Sequence, residues 1–381
     1  MNSVNKRVVV ITGASSGIGR ATALMLAKRG DTVVLAARDA EALQELAEEC
    51  EQVGGHALAV DIDVAVEQQV NQLARQALYA FDRIDVWINN AAVNTLGRFE
   101  DIPTADIHRL LEVNLMGTIH GTRAVLPHFK ARGEGILINV ASMVALTGQP
   151  FAVPYSISKF GIRGLSLSLA QELANQPDIH VCTVLPAVID TPIFNHAANY
   201  MGRAAQAPKP VVRAEEVAKA ITKLTRHPKK EVIVGNMARM NRAWRALAPD
   251  MFDKQFHKMI DSQHFQDEPQ APTSGNLYVP DRELTTISGG WKDKPGQEGK
   301  SSGLKRAAQV TAGAAAISAT YLLATAFLNR KKEPQKLLPA ATAATNEPVA
   351  QTVATVQQAV PADVVSDALA TAVSGNHPAA E

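Results

Sequence analysis

Up to about residue 235 the chain repeats one pattern. Short β-branched runs, "RVVVIT", "TVVLAA", "HALAV", "IDVWIN", "GILINVAS", "IHVCTVL" and "EVIVG", are separated by longer amphipathic stretches such as "RATALMLAKRG", "EALQELAEEC" and "EQQVNQLARQALYAF". Continuous apolar runs of that length are strands buried on both faces, and the amphipathic stretches are helices that cover them. Seven strands alternating with helices predict an α/β fold, a doubly wound parallel sheet with ligands at the strands' C-terminal ends.

The first strand runs into "TGASSGIGRA", Thr12 to Ala21, which opens the first helix. Gly13 permits a tight turn, and Gly17 and Gly19 let backbone and helix N-terminus approach a pyrophosphate. Strand before and helix after are the context that turns a glycine triplet into a dinucleotide cradle. Gly13, Ser15, Ser16, Gly17, Ile18 and Gly19 are therefore cofactor-binding candidates. The second strand ends "VVLAARD". Ala37 stands where an acid would bond ribose hydroxyls, and Arg38 follows at once, able to hold a 2′-phosphate. That favours NADP(H), with NAD(H) as the alternative cofactor; Ser16 supplies no second basic residue.

Composition narrows the function classes. A chain of 381 residues with 46% hydrophobic and 20% charged residues has the balance of a globular protein. A formal net charge of +1 gives no global steering toward nucleic acid. Cys50 and Cys182 lack metal-ligand spacing and read as reduced thiols, so no metal site is expected. "KRVVVITG" begins at Lys6 and leaves no room for a cleavable apolar segment, which points to a cytoplasmic catalytic domain.

With the cradle placed, further motifs follow in order. "NNAA" (Asn89 to Ala92) ends the fourth strand, Asn114 lies in the next helix, Ser142 ends the fifth strand in "NVASM", and "YSISK" sets Tyr155 and Lys159 one helical turn apart. This set strongly resembles the short-chain dehydrogenase/reductase family, over roughly residues 6–235. The resemblance implies a nicotinamide-dependent oxidoreductase whose catalytic residues are Asn114, Ser142, Tyr155 and Lys159. Tyr155 would exchange a proton with a carbonyl or alcohol oxygen and Ser142 would hydrogen-bond it. Lys159 would hold the nicotinamide ribose, and Asn114 would anchor a relay water. An ammonium ~5 Å from a phenol at an effective dielectric of ~20 contributes roughly 3 kcal/mol toward phenolate. That is about two pKa units, toward the range useful for acid–base work.

The same resemblance places Asp63 and Val64 at adenine, Asn90 and Ala91 on the adenosine side, and Pro186, Val188 and Thr191 of "PAVIDT" at the carboxamide. Ala92 and Ala187 replace glycines of the family pattern, from which shifted backbone angles or cofactor fit are expected. Family members assemble through helices around Asn114 and from Tyr155 to Leu173, so a homodimer or homotetramer is expected, with Gly161 and Gly164 permitting close packing.

Loops that face substrate offer Leu96, Phe99, Met143, Val144, Leu146, Phe151, Ile193, Phe194, Tyr200 and Met201, an apolar lining suited to a hydrophobic ketone, aldehyde or alcohol. The bland alternative is that several of these only pack the lid. His196 reads as an exposed loop histidine. Two other functions stay open: an isomerase or dehydratase on the same fold, and a non-catalytic membrane-tethered protein that binds or senses NADP(H).

Beyond the catalytic domain (1–237) lie two short amphipathic helices (238–265), then a Pro-, Gly- and Ser-rich stretch read as a linker (266–304). Residues 307–328 are uncharged and flanked by Lys305-Arg306 and Arg330-Lys331-Lys332. The segment is long enough for a single membrane span within 305–330, a surface or partner-binding helix being the other reading. Residues 331–381 read as a low-complexity tail.

Overall fold

The computed structural model describes residues 6–292. Seven parallel strands form the central sheet: β1 (Val8–Thr12), β2 (Thr32–Ala37), β3 (His56–Asp61), β4 (Val86–Asn89), β5 (Gly135–Val140), β6 (Ile179–Pro186) and β7 (Glu231–Val234). Their order is β7-β6-β5-β4-β1-β2-β3. Chain direction across the sheet reverses beside β1, which pairs with β2 on one side and β4 on the other, so a crevice opens there at the strands' C-terminal ends. Every residue of β1, β2, β4 and β5 is buried, as their unbroken apolar runs require.

Helices α1 (Gly17–Ala27), α2 (Ala40–Gln52) and α3 (Glu67–Phe81) follow the first three strands. Next, α4 (Thr104–Leu111) runs through a π-helical turn, Glu112–Met116, into α5 (Gly117–Arg132). A short α6 (Val144–Thr147) precedes α7 (Val153–Glu172), and α8 (Ala214–Leu224) lies against α1. The apolar core forms two layers, one on each face of the sheet, as a doubly wound architecture demands.

A buried polar ladder crosses the second layer. Trp87 Nε1 donates to Asn89 Oδ1 at 2.8 Å, Asn89 Nδ2 donates to Asn139 Oδ1 at 2.9 Å, and Asn139 Nδ2 donates to Ser166 Oγ at 2.9 Å. Each group is buried and paired, so the ladder pins α7 against β4 and β5 without leaving an orphan donor. In this way the helix that bears Tyr155 is held in register with the strand that leads to Ser142.

After the sheet come α9 (Asn236–Leu247) and α10 (Pro249–Gln263). Phe252 stacks on Phe256 with centroids 4.9 Å apart, and Trp244 meets Phe252 edge-on at 5.2 Å. The stretch from 266 does not behave as a linker up to Trp291. Phe265–Pro269 pairs antiparallel with Arg203–Ala205, Leu277 is fully buried and Trp291 nearly so. Its Pro, Gly and Ser content serves turns that run across the domain surface, and its order comes from partners distant in sequence. Among the described residues no helix is long and apolar enough to cross a membrane. The 305–330 and 331–381 segments lie outside the described residues.

Candidate active site

The crevice beside β1 opens into a cavity lined by Gly13, Ser15, Ser16, Gly17, Ile18, Arg38, Asp63, Val64, Asn90, Ala91, Ser142, Tyr155, Lys159, Pro186, Val188 and Thr191. All were candidates from sequence. Two others, Gly19 and Asn114, do not reach the lining.

Gly13 takes φ +64°, and a Cβ there would lie 2.6 Å from Ala91 Cα, so the turn admits glycine alone. For Gly19 the reason differs from the one expected. A Cβ would lie 2.1 Å from the Gly13 carbonyl and 2.7 Å from Asn90 Nδ2, so Gly19 lets the helix close on its own preceding turn rather than on a ligand. Asn90 Nδ2 donates to the carbonyls of Thr12 and Gly13, both at 3.0 Å, and so fastens the cradle to the end of β4. Ser16, the residue before α1, makes no side-chain capping bond. A tight glycine turn leading into a helix start without a side-chain cap fits a pyrophosphate. Ala92 and Ala187 both line the cavity at ordinary negative φ, so neither methyl disturbs the backbone.

Pro154 at the start of α7 presets the helical turn and supplies no amide that would need a partner. Tyr155 follows at once, and Lys159 one turn later shares its face, with Lys159 Nζ 5.4 Å from the Tyr155 ring centroid. Lys159 is 2% exposed, and its Nζ donates to Val140 O at 3.1 Å. Ser142 Oγ accepts from Val144 N at 3.3 Å, which leaves the hydroxyl proton for the Tyr155 oxygen. Burial pushes the phenol up to about 12, with the Ser142 hydrogen bond opposing, and pushes the Lys159 ammonium down to about 7. The lowered phenol expected from the sequence is therefore not what the structure holds. Both groups lose water in the same pocket, and an ammonium half-deprotonated near neutrality has little charge left to lend.

Asn114 sits in the π-helical turn, an irregularity that often marks functional positions. Its Oδ1 accepts from Val93 N at 2.8 Å; its Nδ2 donates to Val93 O at 2.9 Å and to Ser158 Oγ at 3.2 Å. The side chain thus ties the loop after β4 to α7. At the other end of the crevice, Arg38 donates to the Asn276 carbonyl at 2.7 Å and the Leu277 carbonyl at 2.9 Å. Asp63 pairs with Arg109 and accepts from Ala65 N at 2.9 Å.

Of the residues expected to face substrate, Met143, Val144, Ile193 and Phe194 line the cavity. The rest do not. Tyr200 donates to Asp106, Phe151 packs on Phe265 and His257, Leu96 is fully buried, and Phe99 is half exposed. His196, read as exposed, is a half-buried part of the cavity wall, where burial pushes its imidazole below the ordinary value. Asn276, Pro280, Asp281, Leu284 and Thr285 also line the cavity and were missed. No motif marks them, and only long-range contacts bring them there. Cys50 and Cys182 are buried with thiols pushed up to about 12 and about 11, which excludes them as nucleophiles near neutrality. Among the described residues no cluster could hold a metal ion.

The family model for short chain dehydrogenase matches residues 7–201. The chain belongs to the short-chain dehydrogenase family. An uncharacterized oxidoreductase of Bacillus subtilis, YxnA, is 38% identical over 282 residues, covering 73% of this chain and 79% of that relative. A 3-oxoacyl-[acyl-carrier-protein] reductase of Thermotoga maritima is 33% identical over 187 residues, 49% of this chain and 76% of the relative. Among solved structures, an alcohol dehydrogenase from the archaeon Thermococcus sibiricus complexed with 5-hydroxy-NADP is 28% identical, with TM-score 0.54 over 60% of this chain and 96% of that one. A 3-ketoacyl-(acyl-carrier-protein) reductase from Brucella melitensis complexed with NADH is 27% identical, with TM-score 0.54 over 61% and 98%. As a short-chain dehydrogenase the chain is an oxidoreductase, and its cradle is that of a nicotinamide dinucleotide.

Proposed function

We propose that this short-chain dehydrogenase reduces a hydrophobic ketone or aldehyde to the alcohol, with NADP(H) as the preferred cofactor. The observation that carries the reading is the meeting of Ser142, Tyr155 and Lys159 in one cavity with the glycine cradle. A nicotinamide dinucleotide held by the glycine cradle and Lys159 would supply the hydride for the carbonyl carbon. Ser142 holds the carbonyl oxygen by its hydroxyl proton and so stabilises the charge that develops there. Tyr155 gives its phenolic proton to that oxygen. A phenol pushed up to about 12 keeps its proton throughout the neutral range, which is the form reduction needs and oxidation does not. Lys159, near half-protonation at pH 7, can return a proton to Tyr155. Asn114 acts as a positioning residue that fixes the loop at Val93 and the helix at Ser158.

Arg38 supports the NADP(H) preference. Its guanidinium has further N–H donors beyond the two bonded to carbonyls, and Arg109 adds a second cation at the same end. Met143, Val144, Ile193 and Phe194 give the substrate end its apolar character. Purified full-length chain is expected to oxidise NADPH in the presence of lipophilic ketones and aldehydes, at least roughly tenfold faster than with NADH at equal concentration, the margin of one charge-assisted bond. Turnover confined to polar sugars would refute the substrate class, and equal rates with NADH would refute the cofactor preference.

Ile157, Phe160 and Leu167 on α7 are 46, 42 and 40% exposed, and Met116 is 40% exposed. This apolar face takes a second copy of the chain in the same reading. Gly161 packs inward on Leu115, whereas Gly164 faces open space where a partner helix could approach. Sedimentation velocity is expected to give a dimer or tetramer at micromolar concentration; a monomer there would remove this part of the proposal.

A further inference from the structure

The segment Asn276–Trp291 crosses the crevice from one rim to the other. At the adenosine end its Asn276 and Leu277 carbonyls accept from Arg38, and the Leu277 carbonyl also accepts from Arg109 Nε at 3.0 Å. At the centre, Gly17 N, the first amide of α1, donates to the Thr286 carbonyl at 2.9 Å. At the opposite rim Ser288 Oγ donates to Asp190 Oδ2 at 2.6 Å and Trp291 N donates to Asp190 Oδ1 at 2.8 Å. Trp291 Nε1 donates to the Thr191 carbonyl at 3.1 Å, and its ring meets Phe194 edge-on at 6.2 Å. Pro280, Asp281, Leu284 and Thr285, between these fastenings, form the outer wall of the cavity that holds the cradle and Tyr155.

Two features suit this crossing to opening more than to standing as a fixed wall. Leu277 and Trp291 are its buried anchors, and no residue from 278 to 290 is buried. Between them Ile287 packs partly on the core, Tyr278 donates to Asp106 at 2.9 Å and Arg282 pairs with Glu41 at 2.9 Å; with no side chain fully buried, these ties are the ones that opening has to break. The cavity beneath is also small, ≈ 230 Å³. This segment is its outer wall, so a dinucleotide that approaches from that side must pass it.

We propose that residues 276–291 are a latch over the nicotinamide dinucleotide, fastened at Arg38 and at Asp190–Thr191, whose release gates both entry and departure of the cofactor. The inference rests on the reading of the crevice as a dinucleotide site. The Thr286 carbonyl on Gly17 N satisfies a helix-start amide that an anion would otherwise find, so the closed latch and the pyrophosphate lean on the same element. A gate differs from a mere contact in kinetics. Losing a contact speeds departure alone, whereas loosening a gate speeds entry and departure together.

The test is stopped-flow fluorescence of NADPH binding to, and chase from, the full-length chain carrying Trp291→Ala or Ser288→Ala. Neither side chain lines the cavity. Trp291→Ala is expected to raise both rate constants roughly tenfold, and Ser288→Ala, which loses the bond to the Asp190 carboxylate and the one accepted from Gly290 N, also by roughly tenfold. Ser288→Ala alone decides if Trp291→Ala does not fold. Rate constants within twofold of the parent, or a rise in departure alone, would overturn the latch while leaving the dinucleotide site intact. Failure of the parent chain to bind NADPH or NADH would instead overturn the site reading, and the latch with it.

Discussion

Tyr155→Phe is expected to cut kcat by roughly 10²–10⁴-fold, the usual contribution of a positioned acid–base group. Dinucleotide affinity should stay within about threefold, because the substitution removes one hydroxyl and leaves the ring. That ring packs against Leu96 and Ala152 on one side and Met143 and Val144 on the other, so the fold keeps its contacts. The lost hydroxyl has Ser142 as its partner, and its burial is what pushes it up to about 12. Removing a buried hydroxyl together with one neutral hydrogen bond changes stability by about 0.5–1.5 kcal/mol. Turnover followed by absorbance of the reduced cofactor, beside a fluorescence titration of binding, checks both halves. A variant that keeps more than a tenth of parental kcat would show that the proton comes from elsewhere. Absence of turnover in the parent chain, with dinucleotide still bound, would instead return it to the role of a dinucleotide-binding protein without this chemistry.

The second large effect concerns Lys159. Its amine is 2% exposed, and burial pushes it down from 10.5 to about 7. Between those values the unfolded chain binds a proton that the folded chain does not, so stability rises with pH across that window and falls as pH drops from 10.5 toward 7. Below about 7 both states are charged and the cost is constant. At about 1.4 kcal/mol per pKa unit the cost of the buried charge has an upper bound of roughly 5 kcal/mol. Lys159→Met keeps the length of the side chain, removes the charge, and leaves the Val140 carbonyl without its 3.1 Å partner, a loss of about 1–3 kcal/mol. The net expectation is a stability gain of about 2 kcal/mol at pH 7 and a flatter profile from pH 7 to 8.5. Cys50 and Cys182, held above their ordinary range, add an opposite slope only nearer pH 9. Urea unfolding at three pH values checks the sign. Activity of Lys159→Met should fall as that of Tyr155→Phe does, since the proton return to Tyr155 is lost. A variant less stable than the parent at every pH would mean that the lysine is anchored as a structural ion.

These two residues show how far reading the chain goes. Their identity and spacing follow from "YSISK", because i and i+4 on a helix share a face whatever surrounds it. Their charge states do not. The sequence places an ammonium beside a phenol and implies that the phenol gives way. Burial of both groups in the same pocket reverses that, and burial is a property of the whole packed domain. Asn114 behaves similarly. Its place near the site is written in the motif order, while its commitment to Val93 and Ser158 depends on a π-helical turn that no residue pattern announces.

What the sequence determined by itself is the doubly wound sheet, the cradle and the place of Ser142, Tyr155 and Lys159 beside it. Each rests on local rules: apolar runs long enough for buried strands, glycines where the turn and the helix start meet, and a fixed helical period. The tertiary structure alone decided the fate of 265–292, the engagement of Arg38 with backbone carbonyls, and the half-burial of His196. Those outcomes come from pairings such as Arg38 with Leu277 and Asp190 with Trp291, which span 239 and 101 positions. Polar, turn-rich stretches carry no periodicity from which such partners could be inferred, so their order is set by where the rest of the domain presents donors, carbonyls and a place for one tryptophan.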